Sequence, residues 1–199
     1  MTRHNQYRAV LLCGATLLSA GCNKTDNSNA NYQSAINDYY KAHPSCLWSD
    51  TKKLPVQAAT ADDAKTEGFD ALTDAGLLTR TTAEKKVFIV ASKQVNNYDL
   101  SAQGRSAWTA DSTQPGYGNF CYGHRAVDTI DSATAGVNGS GVKTATVNYH
   151  YSFSDVPDWA KNQEVQTAFP SVGAALAKSQ PAQDSLVMNG TMWQVTSNK

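Results

Sequence analysis

The chain has 199 residues, of which 41% are hydrophobic and 17% are charged, and its 17 basic and 17 acidic side chains give a formal net charge of zero. This length suits one ordinary domain or two small ones, and the hydrophobic content excludes a chain that is disordered throughout. The balanced charge gives no electrostatic basis for binding nucleic acid, which depends on many Lys and Arg contacts to phosphate.

The first 21 residues have the pattern of an export signal. Arg3, His4 and Arg8 form a basic start, and residues 9–20 form an apolar stretch of 12 residues. At ~1.5 Å per residue this stretch spans about 18 Å, which is too short for a hydrocarbon core of roughly 30 Å. A short apolar run behind positive charge is typical of a signal peptide. We therefore predict that residues 1–21 direct export and are then removed.

The predicted signal ends in the sequence LSAGC at residues 18–22. This resembles the lipobox of bacterial lipoproteins, in which small residues precede an invariant cysteine, although the family more often has Leu where this chain has Ser19. The resemblance implies that Cys22 is lipidated and tethers the chain to a lipid bilayer. Asn23 after the cysteine fits the outer-membrane address of such lipoproteins, facing the periplasm; the inner membrane and the cell surface stay open. The alternative is an ordinary secretory signal cut near Ala20.

Two of the four cysteines are left for a disulfide bond. Cys13 leaves with the signal and Cys22 is lipidated, so Cys46 and Cys121 form an even pair in an oxidising compartment. A bond between them would close a loop of about 75 residues and, in the chain-entropy model, stabilise the fold by about 4 kcal/mol. Two buried free thiols are the alternative, and a metal site is disfavoured because no partner stands at ligand spacing.

The first half of the exported chain is predicted to be helical. Residues 22–32 are rich in Asn and Ser and indicate a flexible tether. Apolar spacing predicts helices over 33–42 and 60–75, a short strand at 87–90, and a short helix over 101–108.

Packing residues in the segment 69–105 follow a distinctive spacing. The predicted second helix ends in AGLL at 75–78, and after a polar linker the chain continues with YDLSAQGR at 98–105. This pattern resembles the second half of a winged-helix domain, in which a β-wing follows such a helix and the second motif closes it. The resemblance implies a winged-helix-like fold for residues 33–110. DNA binding is not implied, because the helix in the recognition position has one lysine, Lys65, among five carboxylates: Asp62, Asp63, Glu67, Asp70 and Asp74.

A Gly- and Pro-containing loop at 109–118 marks a boundary, and residues 119–199 have the pattern of an antiparallel sheet. Residues 142–153 alternate between apolar and polar side chains, as in a strand with one buried face. Asn189-Gly190 is a strong hairpin signal. The predicted fold class is therefore α+β, with an N-terminal helical, winged-helix-like half and a C-terminal small antiparallel β-sheet that has one or two helices.

Candidate catalytic residues are few. His124 and His150 could lie on neighbouring strands with Asp128 nearby, which would supply a base and an orienting carboxylate; the alternative is two half-exposed histidines on a polar sheet face. The histidines lack metal-ligand spacing, and the glycines at 136–141 fit no nucleotide-binding loop, so no metal and no cofactor are predicted.

Aromatic residues gather in the second half of the chain. Most aromatic side chains fill cores, but if Tyr117 and Trp159 lie exposed on loops they would form a partner surface. The leading hypothesis is a membrane-anchored periplasmic lipoprotein that is not an enzyme and binds an envelope protein or ligand. The alternative is a hydrolase-type envelope enzyme that uses His124 or His150 with a carboxylate.

Overall fold

The computed structural model of this protein describes residues 26–88 and 91–196. The predicted signal, the lipidation residue Cys22 and the first residues of the predicted tether lie outside the described residues. Among the residues that are described, no helix combines the length and the apolar character needed to cross a bilayer.

Helices and strands alternate along the described chain. The helices are α1 Asn29–Ala42, α2 Asp63–Asp74, α3 Ala102–Ala107, α4 Asp158–Lys161, α5 Gln163–Ala168 and α6 Pro170–Leu176. The strands are β1 Lys52–Lys53, β2 Val56–Ala59, β3 Leu78–Phe88, β4 Ala91–Leu100, β5 Trp108–Ala110, β6 Tyr117–Phe120, β7 His124–Val137, β8 Lys143–Ser154, β9 Gln180–Asn189 and β10 Met192–Val195.

These strands form three antiparallel sheets. The largest has the order β10-β9-β8-β7, the second has the order β2-β4-β3, and the third has the order β1-β6-β5. In the second sheet α2 lies between β2 and β3 in sequence, and β3 and β4 form a long hairpin in which Leu78 pairs with Leu100. The short third sheet brings the segment after α1 next to the segment before β7.

Helix α1 packs on the four-stranded sheet and forms what we call the helix–sheet core. Strand β8 buries every second residue, so one face of the sheet is apolar and the other is solvated. Tyr32 and Ile36, one helical turn apart on α1, cover the apolar face together with Trp193 of β10. Ser28 caps the start of α1 by accepting a bond from the N–H of Asn31, which starts the helix four residues before the predicted position.

The second core is rich in rings, and we call it the aromatic core. Phe120 lies at its centre and contacts Trp108 and Trp159 at ring-centroid distances of 4.9 and 6.0 Å. Helix α2 contributes Leu72, and the turn after the helix contributes Leu77, whose N–H donates to the Leu72 carbonyl. Helices α4 to α6 complete this core from the C-terminal side, and α5 packs directly on α2.

The predicted fold class is wrong. Over its described residues the protein is a mixed α/β structure, mostly of antiparallel sheets, with about 44% strand and 30% helix, and its helices are scattered along the chain instead of gathered in an N-terminal half. Residues 78–100 of the half predicted to be mainly helical form the β3–β4 hairpin, and the β half has three helices between β8 and β9 where one or two are predicted. The reason is long-range packing: α1 covers the C-terminal sheet, while α4 to α6 cover the N-terminal aromatic core.

Candidate functional site

The two candidate catalytic histidines lie on adjacent strands but do not come together. His124 of β7 pairs in register with Ser154 of β8, and His150 lies on β8 itself. Ser154 and His150 are four residues apart, so the two histidines are separated by about 13 Å along the strand direction. Each faces its own carboxylate: His124 Nδ1 lies 3.6 Å from Asp155, and His150 Nδ1 lies 2.8 Å from Asp131.

Asp128, the carboxylate proposed to orient a histidine, accepts hydrogen bonds from two hydroxyls instead. Ser179 Oγ donates to one carboxylate oxygen at 2.6 Å, and Ser152 Oγ donates to the other at 2.7 Å. These bonds favour the charged form and hold the pKa of Asp128 below its usual value, with a smaller contribution from nearby His150. The arrangement joins β7, β8 and the residue just before β9 on the solvated face of the sheet.

The predicted partner surface of Tyr117 and Trp159 does not form an exposed patch. Trp159 is 7% exposed and packs against Phe120 in the aromatic core. Tyr117 is partly buried, and the ammonium of Lys53 lies 6.0 Å from the centre of its ring. Trp159 follows the commoner fate of a large aromatic side chain, burial in the core.

The predicted disulfide is present between Cys46 and Cys121, which are 75 positions apart. Backbone hydrogen bonds flank it on both sides: the Leu47 N–H donates to the Phe120 carbonyl at 2.9 Å, and the Tyr122 N–H donates to the Ser45 carbonyl at 2.8 Å. The bond therefore fixes the segment that follows α1 against the segment that leads into β7.

This fixed segment places Trp48 at the surface of the aromatic core. Asn119, which is 7% exposed, holds the Trp48 backbone from both sides: its Oδ1 accepts from the Trp48 N–H at 3.3 Å, and its Nδ2 donates to the Trp48 carbonyl at 2.7 Å. A buried amide whose donor and acceptor are both satisfied is a rigid support. The indole is only partly buried, and it faces Phe69 of α2 and Phe169, the residue between α5 and α6.

These three rings border a cavity of about 370 Å³, which we call the aromatic cleft. The centre of the Trp48 indole lies 6.3 Å from the Phe69 ring and 6.1 Å from the Phe169 ring. Gly68 opens the space between them, because a Cβ atom at this position would lie 3.0 Å from the Phe169 ring. The cleft has the volume and the partly apolar lining of a ligand pocket.

Charged groups stand at the rim of the cleft. Lys52 of β1 and Lys65 and Glu67 of α2 line it. Lys65 is exposed and forms an ion pair with Asp62 at 2.6 Å, and this hydrogen bond raises the pKa of the Lys65 ammonium. The rim therefore places charged groups of both signs beside an aromatic floor.

Sequence reasoning missed this site. The spacing of Phe69 on α2 predicts that its side chain packs in the core. This is correct for one side of the ring, whose centre lies 5.2 Å from that of Tyr98, but the ring stays partly exposed. Trp48 and Phe169 are about 120 positions apart and come together only because α5 docks on α2. The sequence signal for the site is Gly68 directly before Phe69, a small residue beside a large ring on a helix that is otherwise rich in charged side chains.

A second, smaller apolar groove lies between α1 and β10. It is lined by Ala35 and Tyr39 on α1 and by Met192 and Val195 on β10, and Met192 is half exposed. No cluster of potential metal ligands is found in the described part of the chain.

Comparison of the chain with protein-family models, with curated proteins and with solved structures finds no match.

Proposed function

We propose that this chain is a lipid-anchored periplasmic protein of the outer membrane that acts by binding, and that the aromatic cleft is its binding site. The anchor is proposed from the lipobox-like sequence that ends at Cys22 and from the basic and apolar residues before it. The Cys46–Cys121 disulfide supports export, because such bonds persist in oxidising compartments.

The observation behind the binding role is the set of three partly buried rings around Gly68. Single apolar side chains that stay partly exposed are normal, but several large rings left partly open around one cavity are typical of a recognition site. The supports of the cleft are rigid, since Trp48 is held through its backbone by buried Asn119. A rigid apolar site loses little conformational entropy when it binds.

The cleft is tested by filling it. Gly68→Leu places a side chain where the Phe169 ring is already 3.0 Å from a bare Cβ position. We therefore expect it to abolish binding of anilinonaphthalene sulfonate, a fluorescent probe of apolar sites, to soluble, unacylated protein carrying Cys22→Ser. Gly173→Ala is the control, because it adds a methyl group to a helix where the nearest atom, Gln166 Cβ, is at 3.4 Å. Equal probe binding by Gly68→Leu and Gly173→Ala would contradict the proposal.

The anchor has its own test. Cys22→Ser should abolish incorporation of a fatty-acid analogue during growth and release the protein from the membrane fraction. Equal labelling of the variant and the unaltered chain would contradict the proposed anchor without bearing on the cleft.

One contact favours the second candidate, a hydrolase-type envelope enzyme. His150 Nδ1 lies 2.8 Å from Asp131, which is the arrangement of a base with an orienting carboxylate. The neighbouring hydroxyl of Ser152 donates to Asp128. The enzyme hypothesis predicts that His150→Gln abolishes hydrolysis of an ester substrate, and the binding hypothesis predicts that purified protein has no such activity to lose.

A further inference from the structure

Strand β2 has one side without a neighbouring strand in the described chain, because it is the edge of the sheet β2-β4-β3. In antiparallel pairing, alternate residues point both backbone groups at the partner strand. The Thr60 N–H donates to the Gln94 carbonyl of β4 at 3.2 Å, which fixes the alternation. Gln57 and Ala59 therefore point their backbone groups away from β4, toward the free edge.

Most of these edge groups are available for a new partner. The Ala59 carbonyl is occupied, since it accepts from the N–H of Asp62 at 3.1 Å. The N–H and carbonyl of Gln57 and the N–H of Ala59 have no partner among the described residues. A sheet edge with unpaired groups is a template for pairing with another extended chain.

The aromatic cleft runs along this same free edge. It touches three consecutive residues of β2, namely Val56, Gln57 and Ala58. Successive side chains of a strand point to opposite faces, so contact with three residues in a row suits a cavity that extends to the free side of the strand. Strand β4 occupies the other side, which places the cleft between the free edge and the wall formed by Gly68 and Phe169.

We propose that the occupant of the cleft is an extended peptide segment of a partner protein, which adds to β2 as a further strand and inserts one large apolar side chain between Trp48, Phe69 and Phe169. This inference rests on the proposed binding function and specifies its ligand. Strand addition supplies main-chain hydrogen bonds for affinity, while a pocket beside the edge supplies specificity for a side chain. Both parts are present here within one cavity.

The charges around the free edge indicate that the peptide is acidic. Lys52 and Lys53 lie just before β2, and Lys85 reaches across from β3, where its ammonium donates to the Gln57 side-chain oxygen at 2.9 Å. Opposing them on the rim is Glu67 of α2, while Lys65 is engaged with Asp62. A carboxylate beside the inserted apolar residue would meet the lysines and add favourable electrostatics.

The experiment selects peptides from a random display library against the full acylated chain in lipid nanodiscs, with empty nanodiscs as counter-selection. We expect selected peptides that combine a large apolar residue with an acidic one. Gln57→Pro removes the free N–H, and proline is tolerated on edge strands, so it should weaken the selected peptides at least about tenfold. The matched control Gln57→Ala loses the same side-chain bonds to Asn97 and Lys85 but keeps the N–H, and it should bind normally.

A second readout does not depend on the fold of a variant. The amides of Gln57 and Ala59 should exchange hydrogen more slowly when a selected peptide is bound, and an N-methylated copy of that peptide should give no protection. Failure to select any peptide, unchanged exchange at these amides, or equal affinity of Gln57→Pro and Gln57→Ala would each overturn the inference. Pairing of β2 with a second copy of the chain, seen as a dimer that Gln57→Pro dissolves, would overturn it as well.

The two proposals fail in distinguishable ways. If the apolar probe binds and Gly68→Leu blocks it, but no peptide needs the free edge, the cleft is a binding site for another ligand. If neither probe nor peptide binds, the proposed function itself is wrong.

Discussion

The helix–sheet core and the aromatic core are closed to different degrees. In the helix–sheet core one helix lies over an alternating sheet, and the large rings of Tyr32, Tyr149 and Trp193 are each at most 5% exposed. In the aromatic core several short helices and strands meet from distant parts of the chain, and Trp48, Phe69 and Phe169 remain partly exposed. Under the proposed function, the helix–sheet core is the scaffold, and the aromatic core, whose three rings are left partly exposed, carries the binding site.

Each core takes elements from both ends of the chain, so removal of the disulfide should have the largest effect on the stability of both. Replacing Cys46 and Cys121 together with alanine should lower the free energy of unfolding by about 4 kcal/mol, since the closed loop of 75 residues gains freedom in the unfolded chain. Denaturant unfolding of the unaltered protein and the double variant measures this difference. An unchanged midpoint would mean that the bond does not constrain the unfolded chain.

The next largest effect tests whether the two cores unfold together. Leu72→Ala in the aromatic core and Leu186→Ala in the helix–sheet core each remove a fully buried side chain and should each cost about 3 kcal/mol. Since the cores share the chain so closely, calorimetry should show one transition that both variants shift to lower temperature. Two transitions, with each variant shifting only one, would show that the cores are autonomous.

Removing the hydroxyl from each of two buried tyrosines should change the free energy of unfolding by smaller amounts and in opposite directions. The Tyr98 hydroxyl, in the aromatic core, donates to Asp70 at 2.8 Å and accepts from Asn96, so Tyr98→Phe should cost about 1 kcal/mol. The Tyr32 hydroxyl, in the helix–sheet core, is buried without a partner in the described chain, so Tyr32→Phe should be neutral or stabilising. Chemical denaturation of both variants measures the contrast, and a clear loss in Tyr32→Phe would contradict it.

The smallest effect concerns the solvated face of the sheet. The pKa of Asp128 is lowered in the folded protein by the hydroxyls of Ser179 and Ser152, so its stabilisation is present above the unfolded pKa and is lost as pH falls through the folded pKa. Asp128→Asn should therefore be slightly less stable than the unaltered chain at pH 7, by less than about 0.5 kcal/mol because the site is exposed, and the two should converge near pH 2. Denaturant unfolding of both proteins at the two pH values measures this. A difference in the free energy of unfolding that persists in acid would show that the charge of Asp128 is not its cause.

The parts that the sequence predicts are those set by local pattern. The alternation of residues 142–153 predicts β8, and its burial follows that alternation; Asn189-Gly190 predicts the β9–β10 hairpin, in which Asn189 pairs with Met192. The Cys46–Cys121 bond follows from counting the cysteines left over once residues 1–21 are predicted to be an export signal and Cys22 to be lipidated. These features depend on neighbouring residues or on pairing by elimination.

The parts that the sequence does not predict depend on which distant elements dock. Residues 78–88 contain long polar side chains that suit a linker as well as a strand, and only pairing with β4 makes them β3. The sequence around Trp159 indicates a loop, but the residue lies in α4, which directs its side chain into the aromatic core. The aromatic cleft is not predicted for the same reason, because Trp48, Phe69 and Phe169 come from three separate segments and none belongs to a recognisable motif.

Whether the aromatic cleft is the binding site is tested most directly by finding which residues a bound probe contacts. Isotope-labelled, unacylated protein carrying Cys22→Ser would be titrated with the apolar probe while backbone amide shifts are recorded. We expect shifts confined to the aromatic cleft, in β2, the first turns of α2 and the segment around Phe169. Shifts confined to the polar sheet face near His150, or to the groove between α1 and Met192, would contradict the assignment of the aromatic cleft as the binding site.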